Sequence, residues 1–321
     1  MEFTCKICGY SKNDTSYMVK GRGVDGTFEY VECVNCYCLQ IASIPENMSD
    51  YYSDDYYSLQ PSVDEGASVF RKLLAREYDK AHSYYYTKKG SWVSRLICML
   101  FPESMPPIEP IDDIFEKKIL DVGCGQGRLL KTLAKAGFKN LYGVDPFVRE
   151  DSVYDMADGK TIRIYKCEIF ELEETFDIIT LIYSLEHMPA QEEVLSHMFS
   201  SLNKGGGGIV KIPTVSSYAY RKYGMNWFSL GAPEHLFLHS VESISILCRK
   251  IGFIIDKIVY DSPGITLSIS KYLSKGYSVE QAKRRIYSPA GVVPYLCATL
   301  TAKYLNNRNQ GDTIAVYLRK P

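Results

Sequence analysis

The chain has 321 residues, of which 46% are hydrophobic and 23% are charged, and this composition excludes a fibrous or wholly disordered protein. Its 37 Lys and Arg residues nearly balance its 38 Asp and Glu residues, so the net charge at pH 7 is −1. Because proteins that bind nucleic-acid backbones are usually distinctly basic, this balance argues against a nucleic-acid partner. At roughly 150 residues per domain, the length predicts two domains, or one large domain with appendages.

The N-terminal sequence, MEFTCK, has neither the basic nor the apolar segment of a secretory signal. No apolar stretch approaches the roughly 18 residues that a membrane-spanning helix needs. We therefore expect a cytoplasmic protein without membrane insertion. Ten cysteines in such a protein are better interpreted as metal ligands or small core residues than as disulfides.

Changes in composition predict three domains along the chain. Residues 1–45 hold five of the ten cysteines and are predicted to form a small module of the zinc-ribbon type. Residues 46–110 begin with a tyrosine-rich run at 51–57 and are predicted to form a linker or cap. A helix is expected there, because Phe70, Leu73, Leu74, Tyr78 and Ala81 recur at three- and four-residue spacing. Residues 111–321 form the third domain, with a helical insertion at about 262–311.

The third domain alternates short apolar runs with helical periods, which favours an α/β fold with a mostly parallel sheet. Helices are predicted at 127–136, 191–202 and 241–251, each ended by glycine: Gly137, Gly205 onward and Gly252. The predicted strands are 118–122, 141–145, 162–166, 176–183, 208–212, 253–260 and 313–318.

Two Cys-x-x-Cys knuckles, 24 residues apart, stand in the N-terminal module. Four thiolates complete a tetrahedral site that suits Zn²⁺ and leaves no position open for water, so we expect a structural metal. Such a short module buries too little apolar surface to fold alone, and metal binding would supply much of its stability. The predicted ligands are Cys5, Cys8, Cys33 and Cys36. Cys38 is not expected to be a ligand, and the other five cysteines are interpreted as small core residues.

The most informative segment is residues 121–127, DVGCGQG, between a predicted strand and a predicted helix. Glycine lets the backbone turn sharply and approach a ligand closely. The spacing G-x-G-x-G differs from the G-x-G-x-x-G that seats a pyrophosphate, and Asp121 would repel a diphosphate. The turn therefore favours a cationic ligand without phosphate, such as S-adenosylmethionine. Asp145 ends the next strand, where a carboxylate can accept both ribose hydroxyls, and Glu168 follows the third, where an adenine amino group could be met.

These motifs resemble those of the class I S-adenosylmethionine-dependent methyltransferases over roughly residues 115–320. The turn at 121–127 is similar to the first motif of that superfamily, and SLEHMP at 184–189 is similar to the loop after its fourth strand. The resemblance implies a Rossmann-like seven-stranded sheet with the last strand antiparallel. It implies that the first acid and the glycines hold the methionine part and that Asp145 holds the ribose. The predicted cofactor-binding residues are Asp121, Gly123, Cys124, Gly125, Gly127, Asp145, Pro146, Glu168, Ile169 and Tyr183.

The N-terminal module is similar to that of methyltransferases encoded with enzymes of surface polysaccharides or sugars, on the segment CVNCYCLQ at 33–40 and the Tyr run. Deoxysugar C-methyltransferases share such an N-terminus but add a further C-terminal domain, which this chain is too short to hold. We therefore expect O-methylation of a sugar or other small-molecule hydroxyl. The C-methylation of a deoxysugar nucleotide remains an alternative.

Two more alternatives remain open. One is an RNA or protein methyltransferase that uses the zinc module for recognition, although residues 1–45 hold only four basic residues. The other is a cofactor-binding interaction module without catalysis.

Methyl transfer to a hydroxyl requires alignment of the acceptor, exclusion of water and removal of a proton. His235 follows the fifth strand, where class I enzymes usually build acceptor-binding walls, and it is our candidate base or acceptor contact. A structural role, in which His235 only fixes its loop, remains open. His187 and Tyr183, at the rim of the fourth strand, are further candidates, whereas His239 stands beside the predicted helix cap Ser240 and is expected to be structural.

Overall fold

The structure is a computed structural model that describes residues 3–11, 15–46, 48, 69–100, 105–156 and 160–321. The tyrosine-rich run at 51–57 and the first part of the segment 101–110 lie outside the described residues. The strands are β1 (Thr15–Lys20), β2 (Thr27–Glu32), β3 (Leu39–Ile41), β4 (Lys118–Val122), β5 (Asn140–Val144), β6 (Ser152–Met156), β7 (Lys160–Tyr165), β8 (Phe176–Ile182), β9 (Leu202–Pro213), β10 (Phe237–Leu238), β11 (Ile254–Tyr260) and β12 (Thr313–Arg319). The helices are α1 (Val69–Thr87), α2 (Trp92–Leu100), α3 (Arg128–Ala136), α4 (Gln191–Ser201), α5 (Tyr218–Tyr223), α6 (Val241–Ile251), α7 (Gly264–Leu273), α8 (Val279–Ile286) and α9 (Val292–Asn306).

The chain divides into two compact units, and each is built from several segments. The first unit comprises Met1–Met48, Tyr183–Glu192 and Lys211–Tyr317, and the second comprises Ser49–Ile182, Glu193–Val210 and Leu318–Pro321.

An eight-stranded sheet has the strand order β11-β12-β9-β8-β4-β5-β7-β6. Strand β4 pairs in parallel with β5 and β8, and β5 pairs in parallel with β7. Short apolar strands alternate with helices along this part of the chain, as a parallel sheet requires. The predicted α/β, Rossmann-like, mostly parallel fold is confirmed.

The direction of the last strand agrees with the expected seven-stranded sheet, whereas the number of strands does not. Backbone hydrogen bonds join Gly205 to Lys320 and Thr214 to Asp312, so β9 and β12 run in opposite directions, and the last strand is antiparallel as expected. An additional strand, β6, pairs antiparallel with β7 and makes eight strands rather than seven.

Glycines end two of the three predicted helices. Gly137 follows α3 with φ 123° and Gly252 follows α6 with φ 108°, so each glycine ends its helix as predicted. The prediction is wrong for α4, which ends at Ser201, because Gly205 already belongs to β9 and its amide donates to the carbonyl of Lys320.

The predicted helix in the second block is α1. Its Tyr86 ring lies edge-on to Phe138, with ring centroids 4.8 Å apart, and its hydroxyl donates to the carbonyl of Ile108. Ala81 is buried as expected, whereas Leu73 is 53% exposed and does not belong to a buried face.

The helical insertion contains α7, α8 and α9, which pack around Ile269, Ala282 and Ile286. The N-terminal residues form a separate antiparallel sheet in the order β1-β2-β3-β10, whose last strand comes from Phe237–Leu238. Among the described helices, none is both long enough and apolar enough to traverse a lipid bilayer.

Candidate functional site

The glycine turn after β4 has the backbone conformation that its sequence predicts. Gly123, Gly125 and Gly127 have φ values of 74°, 50° and 70°, all in the left-handed region that side chains disfavour. A Cβ atom on Gly127 would stand 2.5 Å from Cδ1 of Ile164, so the third glycine also lies against the neighbouring strand. The turn leads directly into α3, which begins at Arg128.

Asp145 is held beside this turn by two backbone amides. Its Oδ2 accepts a hydrogen bond from the Gly125 amide at 2.8 Å, and its Oδ1 accepts one from the Phe147 amide at 2.9 Å. The carboxyl group is buried, and burial raises its pKa although both amide bonds act to lower it. Each oxygen keeps one further lone pair for a ligand hydroxyl.

Asp121 lies at the end of β4 and is only 4% exposed. The Thr180 hydroxyl donates to its Oδ1 at 2.7 Å. Burial, together with the nearby charge of Asp145, raises the pKa of Asp121 to about 7, against an ordinary value of 3.8, although the Thr180 hydrogen bond acts to lower it. A cationic ligand would stabilise the ionised form of this buried acid, because the cation would be the charged partner that the carboxylate otherwise lacks.

The remaining predicted cofactor residues have mixed environments. Cys124 is buried, and its thiol approaches the carbonyl of Gly125 at 3.4 Å. Pro146 and Glu168 are exposed, the backbone amide of Glu168 donates to Glu171 Oε1, and Ile169 is buried. The glycine-rich turn and the two buried acids fit the methionine and ribose parts of S-adenosylmethionine.

The four predicted metal ligands come together in the N-terminal module. Their sulfur atoms lie within 4.8 Å of one another, and the Sγ atoms of the pairs Cys5–Cys36 and Cys8–Cys33 are 3.6 Å apart. Four thiolates around Zn²⁺, with bonds of about 2.3 Å, stand about 3.8 Å apart, so the cluster has the dimensions of a tetrahedral zinc site. The Gln40 amide donates to the sulfur of Cys5 at 3.1 Å and fixes one ligand.

The two knuckles have the same backbone geometry. The amides of Gly9 and Tyr37 donate back to the carbonyls of Cys5 and Cys33, and both residues have a positive φ, of 73° and 57°. Glycine supplies this conformation in the first knuckle, and tyrosine adopts it in the second. Cys38, the next residue, is fully buried and stands outside the cluster of four.

The other five cysteines only partly match their interpretation as core residues. Cys124 and Cys248 are buried, whereas Cys98 and Cys167 are half-buried. Cys297 is exposed, so the prediction is wrong for this residue. It lies on α9, whose residues Val293, Leu296 and Leu300 are also exposed.

The N-terminal module that holds the four cysteines contacts the segment that carries His235, within the first unit. The Tyr30 hydroxyl donates to the His235 carbonyl at 2.8 Å, and the amide of Ile41 donates to the carbonyl of Leu236 at 2.9 Å. The Ser240 hydroxyl donates to the carbonyl of Cys36, and Arg22 lies over the ring of Phe228, 4.5 Å from its centroid. The module therefore shapes the conformation of the candidate acceptor segment.

His187 and His235, two of the predicted catalytic residues, lie side by side. Their rings are perpendicular, with centroids 4.7 Å apart. The structure adds Glu186, which sequence reasoning passed over: one oxygen of Glu186 and one nitrogen of each histidine lie within 4.8 Å of one another. Its place beside His187 in the motif SLEHMP was the available signal, but an acid next to a histidine in sequence does not by itself predict that both face the same site.

Both rings are neutral at pH 7. Burial lowers the pKa of His187 to about 4 and that of His235 well below the ordinary value, and the charge of Arg22 lowers the second further. Burial also raises the pKa of Glu186 to about 8. The sequence also did not indicate a role for Arg22 at this site, because Arg22 belongs to the N-terminal module.

Tyr183 has a positive φ of 54° and lies beside a buried ion pair, in which Lys211 contacts Asp261. The ammonium of Lys211 lies 5.6 Å from the centre of the Tyr183 ring. The pKa of Tyr183 is raised, chiefly by burial of its hydroxyl.

His239 is fully buried, and both of its ring nitrogens have partners. Nδ1 lies 2.9 Å from the Ser243 hydroxyl, and Nε2 lies 2.7 Å from Oε1 of Gln191. Burial lowers its pKa to about 3. These contacts fix the start of α6, in agreement with the expected structural role.

The sheet, the glycine turn and the acid after β5 together define a methyltransferase fold. Residues 90–258, more than half of the chain, match the family described as "Methyltransferase domain", and the chain belongs to this family.

Curated relatives include the mitochondrial ubiquinone biosynthesis O-methyltransferase of Saccharomyces cerevisiae, which is 38% identical over 101 residues, or 29% of this chain and 32% of the relative. The ubiquinone biosynthesis O-methyltransferase of Nitrosococcus oceani is 30% identical over 150 residues, or 42% of this chain and 63% of the relative. The chain thus spans less than two thirds of the length of each of these relatives.

Solved structures show similarity at lower identity. The cyclopropane synthase MmaA2 from Mycobacterium tuberculosis is 15% identical, with a TM-score of 0.45 and coverage of 82% of this chain and 97% of that chain. Magnesium protoporphyrin IX methyltransferase from Synechocystis is 14% identical, with a TM-score of 0.39 and coverage of 80% and 90%.

Proposed function

We propose that this chain transfers the methyl group of S-adenosylmethionine to a hydroxyl oxygen of a small molecule, with sugars as the first acceptor class to test. Asp145 carries this proposal: a buried carboxylate clamped by the Gly125 amide keeps lone pairs for the two ribose hydroxyls of the cofactor. The names of the ubiquinone biosynthesis relatives describe O-methyltransferases, which supports oxygen as the accepting atom. The sugar class rests on the resemblance of the zinc module, residues 1–45.

In this proposal the turn and its acids hold the cofactor. Gly123, Gly125 and Gly127 let the backbone approach the methionine part, and Asp121 faces its positive charge. Asp145 holds the ribose, and Glu168 and Ile169 border the adenine. The bound cofactor supplies an electrophilic methyl group on a sulfonium, which is a good leaving group.

The candidate acceptor contacts belong to the first unit. His235 donates its Nδ1 proton to the carbonyl of Ser229, at 2.8 Å, so its Nε2 holds the lone pair that can accept a hydrogen bond from the acceptor hydroxyl. We assign His235 and His187 as acceptor contacts and Tyr183 as a residue at the edge of the site. The low pKa of His235 makes it a weak proton acceptor, so we assign it the orientation of the hydroxyl before the removal of its proton.

Zinc in the four-cysteine cluster is proposed to be structural. With Cys5, Cys8, Cys33 and Cys36 as ligands, no coordination position remains for an acceptor. The metal would hold the two knuckles together and, through Tyr30 and Ser240, keep the His235 segment in place.

A methyl-transfer screen tests the proposal. The chain is incubated with S-adenosylmethionine and a panel of nucleotide sugars, free sugars and phenols, and formation of S-adenosylhomocysteine is followed. We expect turnover with at least one hydroxyl acceptor, and a loss of cofactor affinity of at least tenfold in Asp145→Ala. The exposed Asp112→Asn variant is the matched control and should bind the cofactor normally. Unchanged cofactor binding by Asp145→Ala would contradict the proposed site.

A further inference from the structure

Glu186, His187 and His235 form a second cluster of metal-ligand type, separate from the four cysteines. One donor atom from each lies within 4.8 Å of the others. Glu186 and His187 belong to the short helical turn Leu185–His187, and His235 comes from the segment before β10. Two imidazoles and one carboxylate are the ligands preferred by divalent transition metals such as Zn²⁺, Mn²⁺ and Fe²⁺.

Both imidazole rings are oriented as metal-binding histidines are. Nδ1 of His187 lies 2.9 Å from the carbonyl of Glu234, and Nδ1 of His235 lies 2.8 Å from the carbonyl of Ser229. Because a carbonyl oxygen only accepts hydrogen bonds, each Nδ1 carries the proton and each Nε2 carries the lone pair. Histidine ligands of protein-bound metals are typically fixed in this way, with the second nitrogen bonded to a carbonyl or carboxylate.

Glu186 lacks the partner that a buried carboxyl group needs. The residue is 1% exposed, and within the described part of the chain neither of its side-chain oxygens has a hydrogen-bond partner. A buried carboxylate without a partner is costly, and such groups are normally paired or coordinate a metal. A cation bound between Glu186 and the two histidines would satisfy it.

The charges around the cluster are mixed. Arg22 raises the local positive potential, since its charge acts on both His235 and Glu234. Glu234 is itself an acid and lies next to His235 in the chain.

We propose that Glu186, His187 and His235 bind one divalent transition-metal ion, with Glu186 as the anionic ligand. Three protein ligands leave coordination positions open, in contrast to the closed four-cysteine site. If the proposed O-methylation is correct, an acceptor hydroxyl can occupy an open position, where it contacts the ion in place of Nε2 of His235, and the ion lowers the pKa of that hydroxyl. Metal binding itself does not depend on that reaction.

Metal binding to the full-length chain, without cofactor or acceptor, tests the proposal. Protein with one equivalent of Zn²⁺ in the four-cysteine site is titrated with Co²⁺ and followed by calorimetry and visible absorption. We expect a second site of one equivalent, whose spectrum lacks the intense sulfur-to-cobalt charge-transfer band of a thiolate site. This spectrum needs no variant and therefore does not depend on whether substitutions disturb the fold.

Variants then assign the ligands. Glu186→Gln, which keeps the shape of the side chain, and His235→Ala should each weaken the second site at least tenfold. The matched control is His197→Ala, since His197 lies outside the cluster and its ring contacts the carbonyl of Leu172. A single equivalent of bound metal in the wild type, or equal affinity in Glu186→Gln, overturns the proposal. If the second ion binds but no hydroxyl is methylated, the metal site stands and the proposed reaction is what fails.

Discussion

The hydroxyl of Tyr30, in the N-terminal module, donates a 2.8 Å hydrogen bond to the backbone carbonyl of His235, which lies 205 positions further along the chain. Tyr30 is fully buried, and the next strand of its sheet, β3, pairs with β10 just after His235. The module is therefore part of the framework that holds the candidate acceptor segment, which gives the N-terminal cysteines a structural connection to the proposed chemistry.

Removing this hydroxyl should weaken the first unit. In Tyr30→Phe the His235 carbonyl loses its partner in a buried position, and we expect the free energy of unfolding to fall by about 1–3 kcal/mol. Urea denaturation measures this loss. Tyr17→Phe is the control, because Tyr17 is only half-buried and its hydroxyl contacts Glu32, and it should cost less than about 1 kcal/mol. An equal fall in the free energy of unfolding in both variants would show that the Tyr30 hydrogen bond stabilises the protein no more than the Tyr17 contact does.

The four-cysteine cluster predicts a specific change in metal content. Replacing Cys8 by Ser removes one thiolate from the tetrahedral set, and the chain should then lose one equivalent of tightly bound Zn²⁺. The midpoint of thermal unfolding should fall as well, since metal binding supplies folding energy to so small a module. The matched control is Cys297→Ser, because Cys297 is exposed and distant in sequence from the knuckles. Plasma mass spectrometry of the purified proteins gives the metal content, and equal zinc in the two variants would contradict the site.

The third glycine of the turn offers a test that separates backbone strain from steric contact. Gly127 and Gly205 have similar φ values, 70° and 74°, but a Cβ on Gly127 meets Ile164 at 2.5 Å whereas one on Gly205 meets nothing within 4 Å. Alanine at either position carries the strain of a positive φ, about 1 kcal/mol. Only Gly127→Ala adds the clash with a buried side chain, which costs about 1–3 kcal/mol more.

Denaturation curves and cofactor calorimetry measure the two effects of these variants. We expect Gly127→Ala to lose both stability and affinity for S-adenosylmethionine, and Gly205→Ala to lose only the smaller part of the stability. Similar unfolding midpoints for the two variants would mean that Ile164 moves aside at little cost.

Local sequence signals predicted the parts of this protein that depend on near neighbours. The turn at 121–127 follows from three glycines between a strand and a helix, and the two knuckles follow from cysteine spacing alone. The extra strand β6 was missed because its segment, SVYDM, is short and only partly apolar, and only pairing with β7 makes it a strand. The misplaced end of α4 has a similar cause, since pairing with β12 draws Gly205 into a strand.

The contacts that define the candidate acceptor site could not be predicted in this way. The tautomers of His187 and His235 depend on carbonyls of Glu234 and Ser229, and nothing in the local sequence specifies which carbonyl a ring meets. The same holds for Glu186, because burial without a partner is a property of the folded chain and not of the motif SLEHMP.

The most informative pH dependence concerns Asp121. Its pKa is about 7 in the folded chain and near the ordinary 3.8 when unfolded, so between these pH values the folded state holds a proton that the unfolded state has released. The free energy of unfolding therefore falls as pH rises from about 4 to about 7, at up to about 1.4 kcal/mol per pH unit. Asp121→Asn cannot titrate and should escape this loss. Without cofactor, the difference in the free energy of unfolding between the variant and the wild type should shift with pH. From pH 5 to pH 8 it should move in favour of the variant by roughly 3 kcal/mol.

The same substitution should have the opposite effect on the cofactor. The ionised carboxylate of Asp121 attracts a cation, so the wild type should bind S-adenosylmethionine more tightly at pH 8 than at pH 6, with release of a proton on binding at the lower pH. Asp121→Asn should bind it weakly at both values. Urea denaturation at pH 5 and 8, and calorimetry at pH 6 and 8 in two buffers of different ionisation enthalpy, measure the two effects. A stability difference between variant and wild type that stays constant with pH would place the titration of Asp121 near its ordinary value, and Asp121 would then carry its charge at pH 7 whether or not a cofactor is bound.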